Sequence, residues 1–233
     1  MKVLIIAFAL LFTGYLLAVE DTSKIIEDMS KQKGINNLQD VKDFKISGQS
    51  FADKTHFNFN YYFMKPNYHR IDITSPGLSI ISVLQGDVGY VKQSFYPTVP
   101  IDDKTRVELI NLSEIVLSPF YEHQKKGIKF KFDKIIQYGG RESYQISLID
   151  SSGFYTDLLI DKSNLHLLKS ESNKEYTSGM IPSTLVFDKY TELNGIKIPM
   201  DIEQTLLSQT RTIKIDSVMF NIGLQAFDFK KPK

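Results

Sequence analysis

Cysteine and tryptophan are both absent from this 233-residue chain. Without a thiol there is no disulfide scaffold, no CxxC zinc site and no cysteine nucleophile. An excess of either charge is missing too: 28 Lys and Arg face 27 Asp and Glu, and no local Lys/Arg cluster supplies the basic footprint of a nucleic-acid binder. The chain carries no GxGxxG, P-loop, GxSxG or HExxH pattern, so the local signatures of nucleotide binding, serine hydrolysis and zinc proteolysis are lacking. Its four histidines, His56, His69, His123 and His166, sit on separate segments without metal-ligand spacing. They read as surface or strand-edge residues, and neither a metal nor a cofactor is expected. No repeat, low-complexity tract or linker follows residue 20, and all-β chains of roughly 200 to 250 residues often form one unit, so residues 19–233 are expected to be a single domain.

What is present begins with Lys2 and a mostly apolar run from Val3 to Val19, followed by acidic Glu20 and Asp21. This is the charged start and apolar stretch of an export signal, a little short for a spanning helix of about 20 residues. Ala18 is a suitable small residue before a cut, so residues 1–18 are assigned as a signal peptide, with retention as an N-terminal anchor the alternative. Removing them takes away one basic residue, Lys2, and balances the charges. An exported chain without cysteine fits a bacterial periplasm better than a eukaryotic secretory route. The sequon Asn111-Leu112-Ser113 matters only on the second route.

Residues from Thr22 follow a helical period: Ile25, Ile26 and Met29 share a face, Thr22 or Ser23 can cap the start, and Gly34 can end it. The period then changes to two. Phe57, Phe59, Tyr61 and Phe63 alternate with Asn58, Asn60 and Tyr62; Ile128, Phe130 and Phe132 alternate with Lys129, Lys131 and Asp133. Similar runs continue to residue 220, broken by turn signals, of which Asn194-Gly195 is the strongest hairpin mark. A bulge is expected near Ser217, where the apolar face changes. Between Asp102 and Lys126 the β rhythm stops: Val107, Ile110, Leu112, Ile115 and Val116 are spaced for one or two short helices, with Ser113-Glu114 as a start and Pro119 as a stop. About eleven or twelve antiparallel strands curl toward a barrel. Pattern alone leaves a packed core with a helical plug and a ligand cavity equally open.

Several short segments carry a resemblance. Met64-Lys65-Pro66-Asn67 with Arg70-Ile71-Asp72, Gly140-Arg141-Glu142-Ser143-Tyr144, Leu159-Ile160-Asp161, Asn194-Gly195-Ile196-Lys197-Ile198-Pro199 and the tail Asn221 to Phe229 resemble, in order and spacing, the LolA-like outer-membrane lipoprotein-sorting family. The resemblance implies a mainly β fold: an incomplete, half-open antiparallel β-barrel of about eleven strands with a short helical lid over an apolar cavity. In that family an arginine before the proline takes part in opening and closing the lid; Lys65 stands there in this chain and keeps the charge without the planar five-donor fork. The family's aspartate-glycine-lysine turn is replaced by Gln85-Gly86-Asp87-Val88-Gly89. Both departures point to a divergent member.

On this reading the protein is a non-enzymatic carrier in the periplasm of a Gram-negative bacterium. It would bind lipoprotein acyl chains or another lipid, work as a monomer with an inner-membrane donor and an outer-membrane acceptor, and bind no nucleic acid. The alternative is a sensing domain that detects lipid or lipoprotein and reports to a partner protein. The expected cavity lining is Phe57, Phe59, Tyr61, Phe63, Ile71, Ile73, Ile80 and Leu84, the lid Leu109 to Leu117 with Leu109, Leu112, Ile115 and Leu117, and the lid latch or headgroup contact Lys65.

Overall fold

The structure, a computed structural model, describes residues 21–52, 55–123, 125–151, 153–176 and 179–233. The apolar segment 3–19 and the cut after Ala18 lie outside the described residues. A helix, α1 (Thr22–Lys33), opens the fold and leads through a 3-10 turn at Ile35–Gln39 into the sheet. Its cap is Asp21, whose carboxylate accepts from the Ser23 amide at 2.9 Å, and not Thr22 or Ser23. A carboxylate there also suits the positive end of the helix dipole. Gly34 ends the helix with φ 77°. A Cβ at Gly34 would lie 1.8 Å from the Gly195 carbonyl oxygen, so glycine serves both the left-handed turn and the close approach of this helix end to a distant hairpin.

Among the described residues thirteen strands follow. The first six are β1 (Asp43–Ala52), β2 (Thr55–Met64), β3 (Tyr68–Ser75), β4 (Leu78–Gln85), β5 (Val88–Gln93) and β6 (Val99–Pro100). After the second helix, α2 (Asp103–Leu117), come β7 (Lys129–Tyr138), β8 (Arg141–Ile149), β9 (Tyr155–Asp161), β10 (Leu167–Tyr176), β11 (Gly179–Leu193), β12 (Ile196–Leu206) and β13 (Gln209–Phe220). They form one antiparallel sheet in the order β6-β5-β4-β3-β2-β1-β13-β12-β11-β10-β9-β8-β7. The two edges, β6 and β7, do not pair, so the barrel is open. The additional strand is β6, whose two residues are too short to carry a readable period. Between β11 and β12, Asn194 (φ 51°) and Gly195 (φ 71°) make the expected two-residue hairpin turn. The register of β1 against β13 shifts where Ser47 opposes Ser217 and Gly48 opposes Ile215, which makes Asp216 the extra residue of the bulge.

The chain passes from the β6 edge to the β7 edge through α2 and the turns after it. This is one helix and not two. Asp102 caps it, accepting from the Thr105 amide at 2.8 Å, and Ser113-Glu114, expected as a start, is interior to it. Asn111 and Leu112 continue the helix because both are buried against the sheet, and this packing overrides a local cap signal. Ser118, with φ 64°, and Pro119 end it. The main core joins Ile25 and Met29 of α1, Leu109, Leu112 and Ile115 of α2, and the inward residues of β1, β2, β8, β9, β12 and β13. On the far side of the sheet the C-terminal 3-10 turn Ala226–Phe229 packs on β3 and β4, and Val83 and Phe229 are buried there apart from the main core.

Candidate functional site

Alternation in the strands and the 3.6-residue period of α2 leave a cavity of about 570 Å³ between that helix and the inner face of the sheet. This falls within the range of pockets that hold one small-molecule-sized ligand. Its two walls differ in chemistry. From β2 and β4 come Phe63 and Leu84, and α2 contributes Val107, Ile110 and Leu117. Opposite, β8 to β11 contribute Leu148, Ile181 and Leu185 together with the hydroxyls of Thr156, Ser170, Ser172 and Ser183. Thr156 pairs with Ser172 and Ser172 with Ser183 across neighbouring strands, so three hydroxyls form one cross-strand row. Ser183 accepts from the Asn111 amide of α2 at 2.8 Å. Charged side chains, among them Asp87, Arg106, Glu122 and Lys126, also border the space.

Besides Asn111, the side chains of Tyr61, Lys33 and Lys65 tie α2 and the turn after it to the rest of the fold. The Tyr61 hydroxyl donates to the Leu109 carbonyl at 3.0 Å and lies 2.7 Å from His69 Nδ1. Since a phenol has one proton, a His69 Nδ1–H donating to Tyr61 completes the chain. Burial holds the His69 imidazole down at about 4, and drives the Tyr61 phenol well above its usual value. His69 is thus an interior residue and not the surface or strand-edge histidine expected from sequence. The Lys33 ammonium, at the end of α1, reaches the Ile115 carbonyl at 3.3 Å and the Lys197 carbonyl at 2.5 Å. Burial lowers its pKa to about 7. The Lys65 ammonium, half-buried, donates to the Leu38 carbonyl at 2.8 Å and to the Tyr121 hydroxyl, and lies 4.7 Å from the Tyr121 ring centre.

The expected lining residues occupy three environments. Phe63 and Leu84 border the cavity; Phe59, Tyr61 and Ile71 are buried in the main core; Phe57, Ile73 and Ile80 are half-buried. All four lid residues, Leu109, Leu112, Ile115 and Leu117, are buried on α2, and Leu117 reaches the cavity. Lys65 borders it too. Sequence reasoning missed the wall from β8 to β11. Its signal was present in Lys169-Ser170-Glu171-Ser172, where hydroxyls alternate with charges, a period-two pattern without an apolar face. Among the described residues no group of three His, Asp or Glu side chains could hold a metal ion. His56 stacks on Phe51, His166 on Tyr190, and His123 contacts the Phe120 carbonyl.

No family model and no curated protein matches the sequence. Solved structures do match in fold. A LolA superfamily protein from Nitrosomonas europaea superposes with a TM-score of 0.58 at 14% identity, over 90% of this chain and 97% of that one. A domain described as an outer membrane lipoprotein-sorting protein from Vibrio parahaemolyticus gives 0.57 at 13%, over 89% and 95%. A DUF1329 family protein from Desulfovibrio piger gives 0.57 at 13%, over 88% and 97%. The chain therefore has the LolA-like fold, in a sequence far diverged from these examples.

Proposed function

We propose that this protein is a non-enzymatic carrier, exported to the periplasm, that shelters lipoprotein acyl chains or another lipid in the cavity beneath α2 and delivers them toward the outer membrane. The observation that carries the reading is the cavity itself: about 570 Å³ of space between a helix and an unclosed sheet. An open barrel needs no ladder of backbone bonds broken to admit a ligand. What must yield are side-chain contacts: the hydrogen bonds of Tyr61, Lys33, Lys65 and Asn111 described above and the apolar packing of α2 on the sheet. Taking up an acyl chain gains about 0.8 kcal/mol per CH₂ removed from water, and each hydrogen bond released to water costs about 0.5–1.5 kcal/mol net, or about 1.5–3 kcal/mol where a charged lysine is the donor. Displacing α2 also uncovers Leu109, Leu112 and Ile115, at about 1.5–3 kcal/mol each, so it takes burial of a long acyl chain, on the order of 15 methylenes, to offset displacement of the helix. The likeness to a lipoprotein-sorting domain supports the same reading at the level of fold.

The mixed lining bears on the cargo. Phe63, Leu84, Ile110 and Leu117 suit methylenes, while the hydroxyls of β9 to β11 would meet ester, amide or hydroxyl groups near a headgroup. The test is native mass spectrometry of the protein taken from its own periplasm, with titration of a fluorescent fatty-acid probe into delipidated material. A co-purifying lipid or acylated protein and saturable probe binding are expected. Probe binding that persists when the cavity is filled by substitution overturns the reading.

A further inference from the structure

The β5–β6 hairpin projects two adjacent aromatic side chains into solvent: Phe95 is 97% exposed and Tyr96 65% exposed. Val99, the first residue of the edge strand, is also exposed. Soluble domains rarely leave neighbouring large apolar side chains uncovered without a partner. The turn is built and not slack, because the Lys92 ammonium donates to the Tyr96 carbonyl at 2.6 Å. The C-terminal tail is docked to the same corner: the Thr98 hydroxyl donates to the Pro232 carbonyl at 2.9 Å, and the Lys231 ammonium lies 4.7 Å from the Tyr90 ring centre. Lys230, Lys231 and Lys233 are exposed there. Asp102, which follows β6, is exposed, and its carboxylate accepts from the Thr105 amide at the start of α2.

From this juxtaposition of an aromatic tip and tail lysines we infer that the β5–β6 corner is a docking site for the surface of an anionic lipid bilayer. Aromatic side chains favour the headgroup level of a membrane, where an apolar ring is buried while its polar edge stays wet. Lysines beside them meet the negative surface potential. A protein partner fits less well: stable interfaces bury about 800 Å² on each side, whereas this is a protruding tip of two rings and not a face. The inference goes beyond carriage and does not require it.

The absence of tryptophan permits a site-specific test. In full-length Phe95→Trp, the single tryptophan should shift its emission to the blue and be quenched by brominated lipid on adding phosphatidylglycerol vesicles. Phosphatidylcholine vesicles should give a much smaller effect, and 0.5 M salt should weaken the anionic response. Tyr155→Trp, placed on β9 at a position 61% exposed, should not respond. This control separates insertion of the hairpin from adsorption through any other part of the chain. Phe95→Ser/Tyr96→Ser should lower the vesicle affinity at least tenfold while fatty-acid probe uptake stays unchanged, and tail lysine substitution should remove the anionic preference. An unresponsive Phe95→Trp, an equal response from Tyr155→Trp, or a blue shift that appears without vesicles as protein concentration rises, which would mark a second copy covering the tip, each overturns the inference.

Discussion

The Lys33 ammonium occupies the place of a missing backbone donor at the Ile115 carbonyl. In a continuing α-helix that carbonyl would accept from the amide four residues on, which is Pro119 and has no N–H. The last backbone bond of the helix end runs from the Ser118 amide to Glu114, at 2.8 Å. Lys33, donating from α1 at 3.3 Å, satisfies the next carbonyl. The residue that stops the helix thereby creates the acceptor that binds it to another element.

This arrangement has a pH signature. Lys33 titrates near 7 in the fold, against 10.5 in its absence, because burial disfavours the charge. Between those values the unfolded chain holds a proton that the folded chain does not, so stability rises with pH from about 7 to about 10.5 and is flat in this respect below 7. The bound from the two pKa values is about 5 kcal/mol, reduced by the two carbonyls that favour the charged amine. Lys33→Met should abolish that slope. At pH 9.5 it should be about 1–3 kcal/mol less stable than wild type, because two carbonyls lose their donor, and at pH 6 nearer to equal. Urea titrations across this range measure both effects.

His69 gives a second slope of the same sign on the acid side. Its pKa is about 4 in the fold, against 6.5, so between those values only the unfolded chain binds the proton. Stability should fall by up to about 3 kcal/mol as pH drops from 6.5 to 4, with no further loss from this group below. The physical cause is burial, and protonation would also force a new arrangement on the bond to Tyr61. His69→Gln, which keeps a donor and an acceptor, should flatten that limb in urea midpoints measured at each pH. A limb unchanged by the substitution would assign the acid sensitivity to the carboxylates.

Much of the fold was legible because it rests on local chemistry. Alternating residues in β2 and β7, the Asn194-Gly195 turn and the stop at Gly34 each act over a few residues, and the structure contains them. The cap of α1 moved from Thr22 or Ser23 to the neighbouring Asp21, which offers a charge as well as an acceptor at a helix start. Ser113-Glu114 misled for a different reason: burial of Asn111 and Leu112 decides helical continuity, and burial is not local. The same limit applies to the cavity. Phe63 and Leu84 could be named from alternation, but Thr156, Ser170, Ser172 and Ser183 lie opposite them only because β1 joins β13 and brings the two halves of the chain into one sheet. Lys33 was hidden as well, as a lysine at a helix end reads as solvated until its carbonyls are seen.

Lys65 tests whether the turn after α2 is held in place. Its ammonium joins Leu38, before β1, to Tyr121, after α2. Lys65→Met keeps most of the stem while removing the donor. Two bonds to partly buried partners are lost, so a stability loss of about 1–2 kcal/mol is expected, together with faster release of a bound fatty-acid probe in stopped-flow displacement. The same stability loss with an unaltered release rate would leave Lys65 as a brace without a part in opening.

Filling the cavity and emptying the core should have separable effects. Phe59 is buried in the main core and does not border the cavity, so Phe59→Ala should cost about 3–5 kcal/mol through lost burial and a residual void, while probe affinity in the folded protein changes little. Ser172 borders the cavity and is only partly buried. Ser172→Leu adds volume to open space and not to close packing, which avoids the usual overpacking penalty of about 1–3 kcal/mol, and stability should stay within about 1 kcal/mol of wild type. The added side chain competes directly with the ligand, so probe affinity should fall at least tenfold. Urea unfolding and probe titration on both variants measure the two axes together. Strong probe binding in Ser172→Leu combined with loss of binding in Phe59→Ala would move the ligand out of the space beneath α2 and into the region around β1 and β2.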